Sequence, residues 1–137
     1  MINPAEILRN YLVVSATGLY TAVGVRIYQS YAPDNWTPTT SAVIFHLGGD
    51  EGDGHAPAVT QTVEFDCIPA GGEDASPADA WAIYQALHDR LFQATLQAVT
   101  GGTLIYATET VTGSDSRTED GWPTVSGIWE IQVRATA

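Results

Sequence analysis

Alternation of apolar and polar residues over Ala58–Ile68 is the feature that most restricts how this chain can fold. Val63, Phe65 and Cys67 fall on one side of the run, and Glu64 falls on the other. A two-residue period of this kind predicts a β-strand with one buried face and one exposed face. Because the apolar face of a sheet must be covered, the rest of the chain is expected to supply helices that pack against it.

The first predicted helix begins at Asn3 and Pro4, which provide an N-cap and a proline at the first helical position. Apolar residues then recur at three-to-four spacing, so this helix is predicted to continue to about residue 16. Gly18 is its predicted stop. A short connector and a first strand over residues 24–28 are expected to follow.

The second predicted helix begins with the same kind of signal, at Ser76 and Pro77. It is predicted to continue to about residue 99, where Gly101 and Gly102 end it. Five apolar positions at helical spacing form the stripe that should lie on the sheet: Ala80, Ile83, Tyr84, Leu87 and Leu91.

Three further strands are predicted. Residues 42–47 form a hairpin with Ala58–Ile68, and residues 104–111 and 125–135 close the chain, with Trp129 on the core side. Residues 48–57 and 112–123 are predicted to be long polar loops. The sequence therefore predicts an α+β fold, with two helices packed on one face of a mostly antiparallel, mixed β-sheet in a single domain over residues 1–137.

The charge balance argues against a nucleic-acid-binding protein. The chain has five arginines, no lysine and a net charge of −11. A surface that grips phosphates needs clustered basic side chains, and five scattered arginines do not form such a cluster. No apolar run is long enough to cross a bilayer, and the N-terminal residues lack the pattern of a signal peptide. We therefore expect a chain that folds inside the cell and does not insert into a membrane.

Candidate catalytic and metal-binding residues are few. Cys67 is the only cysteine and is predicted to be a small buried hydrophobe. His46, His55 and His88 are expected on the sheet surface, in a solvated loop and on the solvent face of the second helix, respectively. The sequence contains no nucleophile elbow, no phosphate-binding glycine loop and no zinc-protease motif. These observations predict a protein without a recognisable catalytic site or metal site.

Asp50, Glu51 and Asp53 form an acidic, glycine-rich segment within the loop over residues 48–57. Counted from Asp50, the third position is Gly52 and the twelfth is Gln61, so the segment does not fit a calcium loop of the EF-hand type. Carboxylates this close repel one another, and the loop is therefore predicted to be solvated.

Trp36 and Trp122 lie beside prolines in irregular segments. Each is expected either to cap the edge of the core or to anchor a neighbouring subunit, because tryptophan is enriched at interface hot spots.

The order of elements resembles that of a known family. An N-terminal helix precedes a short strand with Arg26, Ile27 and Tyr28, and a proline-bearing segment over residues 32–38 follows. A hairpin with the strand residues 62–67, a long alanine-rich helix and two closing strands complete the order. Over nearly its whole length the chain resembles the phage tail terminators, also called tail completion or tail-to-head joining proteins.

This resemblance implies a structural virion protein that assembles in the host cytoplasm into a hexameric ring at the head-proximal end of the tail. The ring would end polymerisation of the tail tube and join the tail to the head. The resemblance also implies no enzymatic activity and no cofactor. Its implied partners are further copies of the chain, the tail tube protein and a head–tail connector protein, while DNA passes through without specific binding. Strands at residues 24–28 and 125–135 are expected to expose edges that a neighbour covers. Asp50, Glu51 and Asp53 are expected to face either the bore or the outer solvent.

Three alternatives remain at the level of sequence. The chain is alternatively another ring protein of the head–tail connector or neck, which sequence separates poorly from a terminator. An acidic mimic of DNA is disfavoured, because such a protein needs rows of carboxylates and the second helix offers only Asp79 and Asp89. The last alternative is a small module that binds a metal through its acidic loop.

Overall fold

The computed structural model describes residues 2–50 and 58–135 of the chain. Nine helices and strands are found in these residues, with a single 3-10 turn at Gly72–Asp74 before the third helix. In chain order they are α1 (Pro4–Leu12), α2 (Gly18–Val23), β1 (Ile27–Gln29), β2 (Ala42–Asp50), β3 (Ala58–Ile68), α3 (Pro77–Phe92), β4 (Thr95–Val99), β5 (Gly102–Arg117) and β6 (Pro123–Ala135).

The six strands form one mixed sheet in the order β1-β2-β3-β6-β5-β4. Within the described residues only the β1–β2 pair is parallel, and the other four pairs are antiparallel. One row of paired residues crosses four strands, from Leu47 through Val63 and Trp129 to Glu109. The predicted α+β class, with helices on one face of a mixed sheet, is confirmed.

The core lies between the helices and one face of the sheet. All five residues of the predicted α3 stripe are buried, together with Val63, Phe65 and Cys67 from β3 and Trp129 from β6. The predicted strand Ala58–Ile68 has the observed bounds of β3. None of the helices in residues 2–50 and 58–135 has the length and apolar character of a membrane-spanning helix.

The N-terminal helix is shorter than predicted. It ends at Leu12 with Val13 as its C-cap, and Gly18 begins a second helix instead of stopping the first. Thr17 is the N-cap of this second helix, because its hydroxyl accepts a hydrogen bond from the Tyr20 amide at 3.2 Å. The capping threonine therefore restarts a helix where the glycine alone indicated an end. The first strand is also displaced, from residues 24–28 to Ile27–Gln29.

The second predicted helix is wrong over its last part. α3 ends at Phe92, and the residues that follow form β4, which pairs with β5. Gly101, with a positive φ angle, lies in the turn of this hairpin after Thr100, and Gly102 begins β5 opposite Val99, so neither glycine caps a helix. Pairing with β5 outweighs the helix propensity of the residues after Phe92, which present no large apolar residue on the side where Leu87 and Leu91 are buried.

The predicted loop over residues 112–123 is mostly strand. β5 continues to Arg117 and β6 begins at Pro123, so the connection is five residues long. β5 is polar here because most of its side chains beyond Tyr106 are exposed. The expected free edge at residues 125–135 is also wrong, since β6 lies between β3 and β5. The edge expected near residues 24–28 is confirmed, because β1 is an outer strand.

Candidate assembly surface

Trp36 and Trp122 are distant in sequence and lie against one another in the fold. Their ring centroids are 5.8 Å apart, with the ring planes at 61°, and both side chains are half-buried. Trp36 is held in the segment between β1 and β2, where its amide donates to the Pro33 carbonyl at 2.9 Å. Trp122 closes the β5–β6 connection, with its amide donating to the Thr118 hydroxyl at 3.2 Å.

Trp122 of this pair lies beside Gly72 and Pro38. A Cβ at Gly72 would stand 3.5 Å from Nε1 of Trp122 and 3.6 Å from Cβ of Pro38. The Gly71 amide donates to the Pro38 carbonyl at 2.6 Å, which attaches this segment to the residues before α3. Nε1 of Trp36 is buried without a hydrogen-bond partner among the described residues. The pair thus caps the end of the sheet within one chain, and its role at a subunit interface stays a prediction.

The acidic segment is described only at its first residue. Asp50 ends β2, with its backbone paired to Gln61. The side chain of Asp50, and both Glu51 and Asp53, lie outside the described residues, as does His55. The orientation of these carboxylates toward a bore or toward outer solvent therefore stays a prediction.

A row of polar side chains crosses the helix-free face of the sheet on β2, β3 and β6. Nε2 of His46 lies 3.1 Å from Oδ2 of Asp66, and the Ser126 hydroxyl donates to Oδ1 of Asp66 at 2.7 Å. His46 is on the sheet surface, as predicted. In this row the carboxylate lies between serine and histidine, so His46 is not placed to remove a proton from Ser126.

His88 is not on the solvent face of α3, contrary to expectation. Its ring is half-buried, stacks on Phe92 at 6.1 Å and meets the edge of Trp129 at 5.4 Å between centroids. The position follows Leu87 on the helix, and Trp129 is wide enough to reach it from β6.

Cys67 is fully buried, as predicted, and burial raises the pKa of its thiol well above the usual range. A thiol in this state is a poor nucleophile, because the reactive form is the thiolate. Among residues 2–50 and 58–135, no three histidine, cysteine or acidic side chains converge in a way that could hold a metal ion.

Tyr84 links α3 to the sheet through a cluster of hydrogen bonds that residue spacing did not predict. Its hydroxyl donates to Glu109 on β5 and accepts from Nε1 of Trp129 on β6 at 3.2 Å. Burial raises the pKa of Tyr84 above its usual range, and the hydrogen bond to Glu109 raises this pKa further. Trp81, one turn earlier on α3, donates to Asp115 at 2.7 Å, so the helix holds two carboxylates of β5.

The helix-free face is polar and carries net negative charge in the described part of the chain. Glu64, Asp66 and Glu130 project from it, against a single guanidinium at Arg134. Tyr106 donates to Glu130 at 2.9 Å. Burial, together with this hydrogen bond, raises the pKa of Tyr106. Such a face repels phosphates.

The two outer edges of the sheet differ in how their backbone groups are satisfied. At β1, Nε of Arg9 donates to the Ile27 carbonyl at 2.9 Å, and its NH2 group donates to the Val25 carbonyl at 3.0 Å. At the opposite edge, β4 pairs with β5 only as far as Tyr106. No described strand covers residues 107–117 of β5 on that side. An uncovered strand of this kind offers backbone groups to a neighbouring chain.

The sequence matches no protein-family model, and no curated protein is significantly similar to it. Among solved structures, the chain is similar to a chain in the structure described as the virion of a native gene transfer agent particle. The TM-score is 0.63 and the sequence identity is 19%. The alignment covers 96% of this chain and 97% of that chain. The two chains thus share a fold over almost their whole length.

Proposed function

We propose that this chain is a structural protein of a phage-like virion, and that it forms a ring, with six copies, at the head-proximal end of the tail. The ring ends polymerisation of the tail tube and provides the surface on which the head docks. The observation that carries this proposal is the end-to-end structural similarity to a chain of a gene transfer agent virion. The proposed role needs neither catalysis nor a cofactor.

The charge distribution supports a role beside DNA without binding to it. Six copies at −11 each carry about −66. Part of this charge lies on the helix-free face of the sheet, where β3 and β6 carry Glu64, Asp66 and Glu130. A channel bordered by like charge would let DNA slide through, because phosphates find no cluster of cationic side chains to hold them.

The proposal is tested by deleting the coding sequence from a strain that produces the particle. We expect tails of uncontrolled length and heads that do not join them, with both defects reversed when the wild-type chain is supplied in trans. Tails of normal length that still fail to join heads would indicate a connector ring instead of a terminator. Normal particles in the deletion strain would contradict a structural role at the head–tail junction.

A further inference from the structure

Five of the seven large apolar side chains that are exposed in residues 2–50 and 58–135 lie at the two outer edges of the sheet, and the other two, Val14 and Trp81, are less exposed. Phe92 lies just before β4 and Leu96 lies within it, and Val111 lies on the uncovered part of β5. Val25 and Tyr31 flank β1, at the other end of the strand order. Exposed apolar groups gathered in two separate places indicate contact surfaces more strongly than single scattered ones.

The first of these surfaces, here called the β5 edge, comprises Phe92, Leu96, Glu109, Val111 and Asp115. Phe92 is 78% exposed, yet its ring is held parallel to that of His88 at an interplanar angle of 10°. Leu96 is 61% exposed and has a positive φ of 50°. An ordered aromatic ring beside an uncovered strand loses little conformational freedom on binding, as an interface anchor should.

The second surface, here called the β1 edge, comprises Arg9, Val25, Arg26 and Tyr31. Tyr31 is 76% exposed, and its amide donates to the Gln29 carbonyl at 2.8 Å. Arg9 already binds two outward carbonyls of this edge. A neighbouring chain would therefore contact the side chains of the β1 edge more than the backbone of the β1 edge.

The two edges carry opposite charge. Arg9 and Arg26, two of the five arginines in the chain, lie at the β1 edge, where both side chains are partly exposed and bind backbone carbonyls. Glu109 and Asp115 lie at the β5 edge and are held there by Tyr84 and Trp81. The guanidinium of Arg117, at the end of β5, donates to the Gly121 carbonyl of the β5–β6 connection at 2.6 Å and leaves these two carboxylates unpaired with it. In a chain with a net charge of −11, most surfaces of two copies repel each other. Contact between these two edges brings opposite charges together, and it is therefore favoured over contact between other surfaces of two copies.

We propose that the β5 edge of one copy docks on the β1 edge of the next, with Phe92 and Tyr31 as the principal anchors. This inference deepens the proposed ring and rests on it. Because the two surfaces differ and lie at opposite ends of one sheet, the contact is heterologous and repeats around a closed ring. Each aromatic side chain buries roughly 150–250 Å², so these few anchors fall short of the roughly 800 Å² per partner of a stable pair. In a closed ring each copy contacts two neighbours, and this closure supplies the remaining stability of the assembly.

Cross-linking between variants with one added cysteine tests this arrangement and leaves both anchors in place. Leu96→Cys and Val25→Cys chains carry different affinity tags and are treated, alone and mixed, with a bismaleimide that has a flexible spacer. The buried Cys67 provides the background in the wild type. We expect a covalent product between residues 96 and 25 in the mixture and little product from either variant alone. Glu73→Cys with Leu96→Cys is the matched control, since Glu73 is exposed but lies in the 3-10 turn, outside both edges.

Efficient linkage of Leu96→Cys to itself would indicate a two-fold contact and overturn the proposal. Absence of the mixed product at the highest soluble concentration, or equal yield in the Glu73 control, would also overturn it.

A second readout removes one anchor and keeps the two attachment points. The double variant Phe92→Ala with Leu96→Cys loses only an exposed ring, so it should melt at nearly the same temperature as Leu96→Cys alone and give much less product with Val25→Cys. An undiminished yield from the double variant would show that Phe92 is not an anchor and would overturn the proposal.

The particle phenotype of the deletion strain is independent of these cross-linking measurements. Failure of the docking arrangement is therefore distinguishable from failure of the proposed function.

Discussion

The side chains of Arg90 and Tyr11 each donate a hydrogen bond to the backbone carbonyl of the other residue, and the pair thereby joins α3 to α1. Nε and NH2 of Arg90 donate to the Tyr11 carbonyl at 3.1 and 2.8 Å, and the Tyr11 hydroxyl donates to the Arg90 carbonyl at 2.7 Å. The guanidinium carbon also lies 3.7 Å from the centroid of the Tyr11 ring. Two helices that are separate along the chain are therefore fixed to one another by one residue pair.

Replacing Arg90 by alanine should lower the free energy of unfolding by about 2–3 kcal/mol. The change removes charge-assisted hydrogen bonds and a cation–π contact, which contribute about 1.5–3 and 0.5–1 kcal/mol in comparable settings. Urea denaturation measures the loss. Arg134→Ala is the matched control, because Arg134 is exposed, and it should change stability by no more than about 0.5 kcal/mol. Equal effects of the two changes would mean that the Arg90–Tyr11 contact contributes nothing.

Gly127 is required because the Tyr84 ring occupies the space of its missing side chain. A Cβ at Gly127 would stand 2.7 Å from Cε1 of Tyr84 and 2.8 Å from Cζ. Gly127→Ala should therefore destabilise the chain by about 1–3 kcal/mol, as overpacking does. Gly18→Ala is the control, since no atom lies within 4 Å of a Cβ there. Thermal melts in which both variants behave alike would show that α3 shifts away from β6 without cost.

Stability should decrease at alkaline pH, in part through Tyr84. The folded chain keeps the phenol proton of Tyr84 above about pH 10, where an unfolded tyrosine releases it. The free energy of unfolding therefore falls as the pH rises above about 10, by up to about 1.4 kcal/mol per pH unit from this residue. Urea melts from about pH 8 to about pH 11.5 should give a shallower decline for Tyr84→Phe than for the wild type. Identical slopes would contradict the role assigned to Tyr84. Buried Cys67 also has a raised pKa and contributes equally to both proteins.

Leu87 lies at the centre of the α3 stripe and is fully buried. Leu87→Ala should cost about 2–5 kcal/mol, from lost burial and the cavity that remains. Phe92→Ala, five residues later on the same helix, removes a larger but exposed side chain and should cost less than about 0.5 kcal/mol. The midpoints of urea denaturation compare them directly. If Phe92→Ala lowers the free energy of unfolding by more than about 0.5 kcal/mol, the exposed ring stabilises the single chain and is not available only for contact with a neighbour.

Periodicity predicted the elements whose burial alternates cleanly and missed those decided by tertiary contacts. The bounds of β3 and the buried stripe of α3 follow from spacing alone, because each has one covered face. The change from helix to strand after Phe92 does not, since β4 is stabilised by β5, which comes later in the chain. A signal was nevertheless present, because the apolar stripe of α3 ends at Leu91.

The candidate site was less predictable than the fold. Contact between Trp36 and Trp122 depends on two irregular segments that only the folded sheet brings together. Gly127 carried a signal, because a glycine inside an alternating strand often marks a close approach by another group. Exposure of Phe92 agrees with the predicted stripe, which ends at Leu91, but the stripe gave no indication that this ring stacks on His88.

Imaging of the head–tail junction in purified particles tests the central claim most directly. Electron cryomicroscopy, combined with a tagged copy of this chain and reconstruction without imposed symmetry, locates the chain and counts its copies. We predict one ring of six copies at the head-proximal end of the tail tube, with the β5 edge of each copy against the β1 edge of the next. A particle that lacks the chain at this position, or a ring of different symmetry, would contradict it.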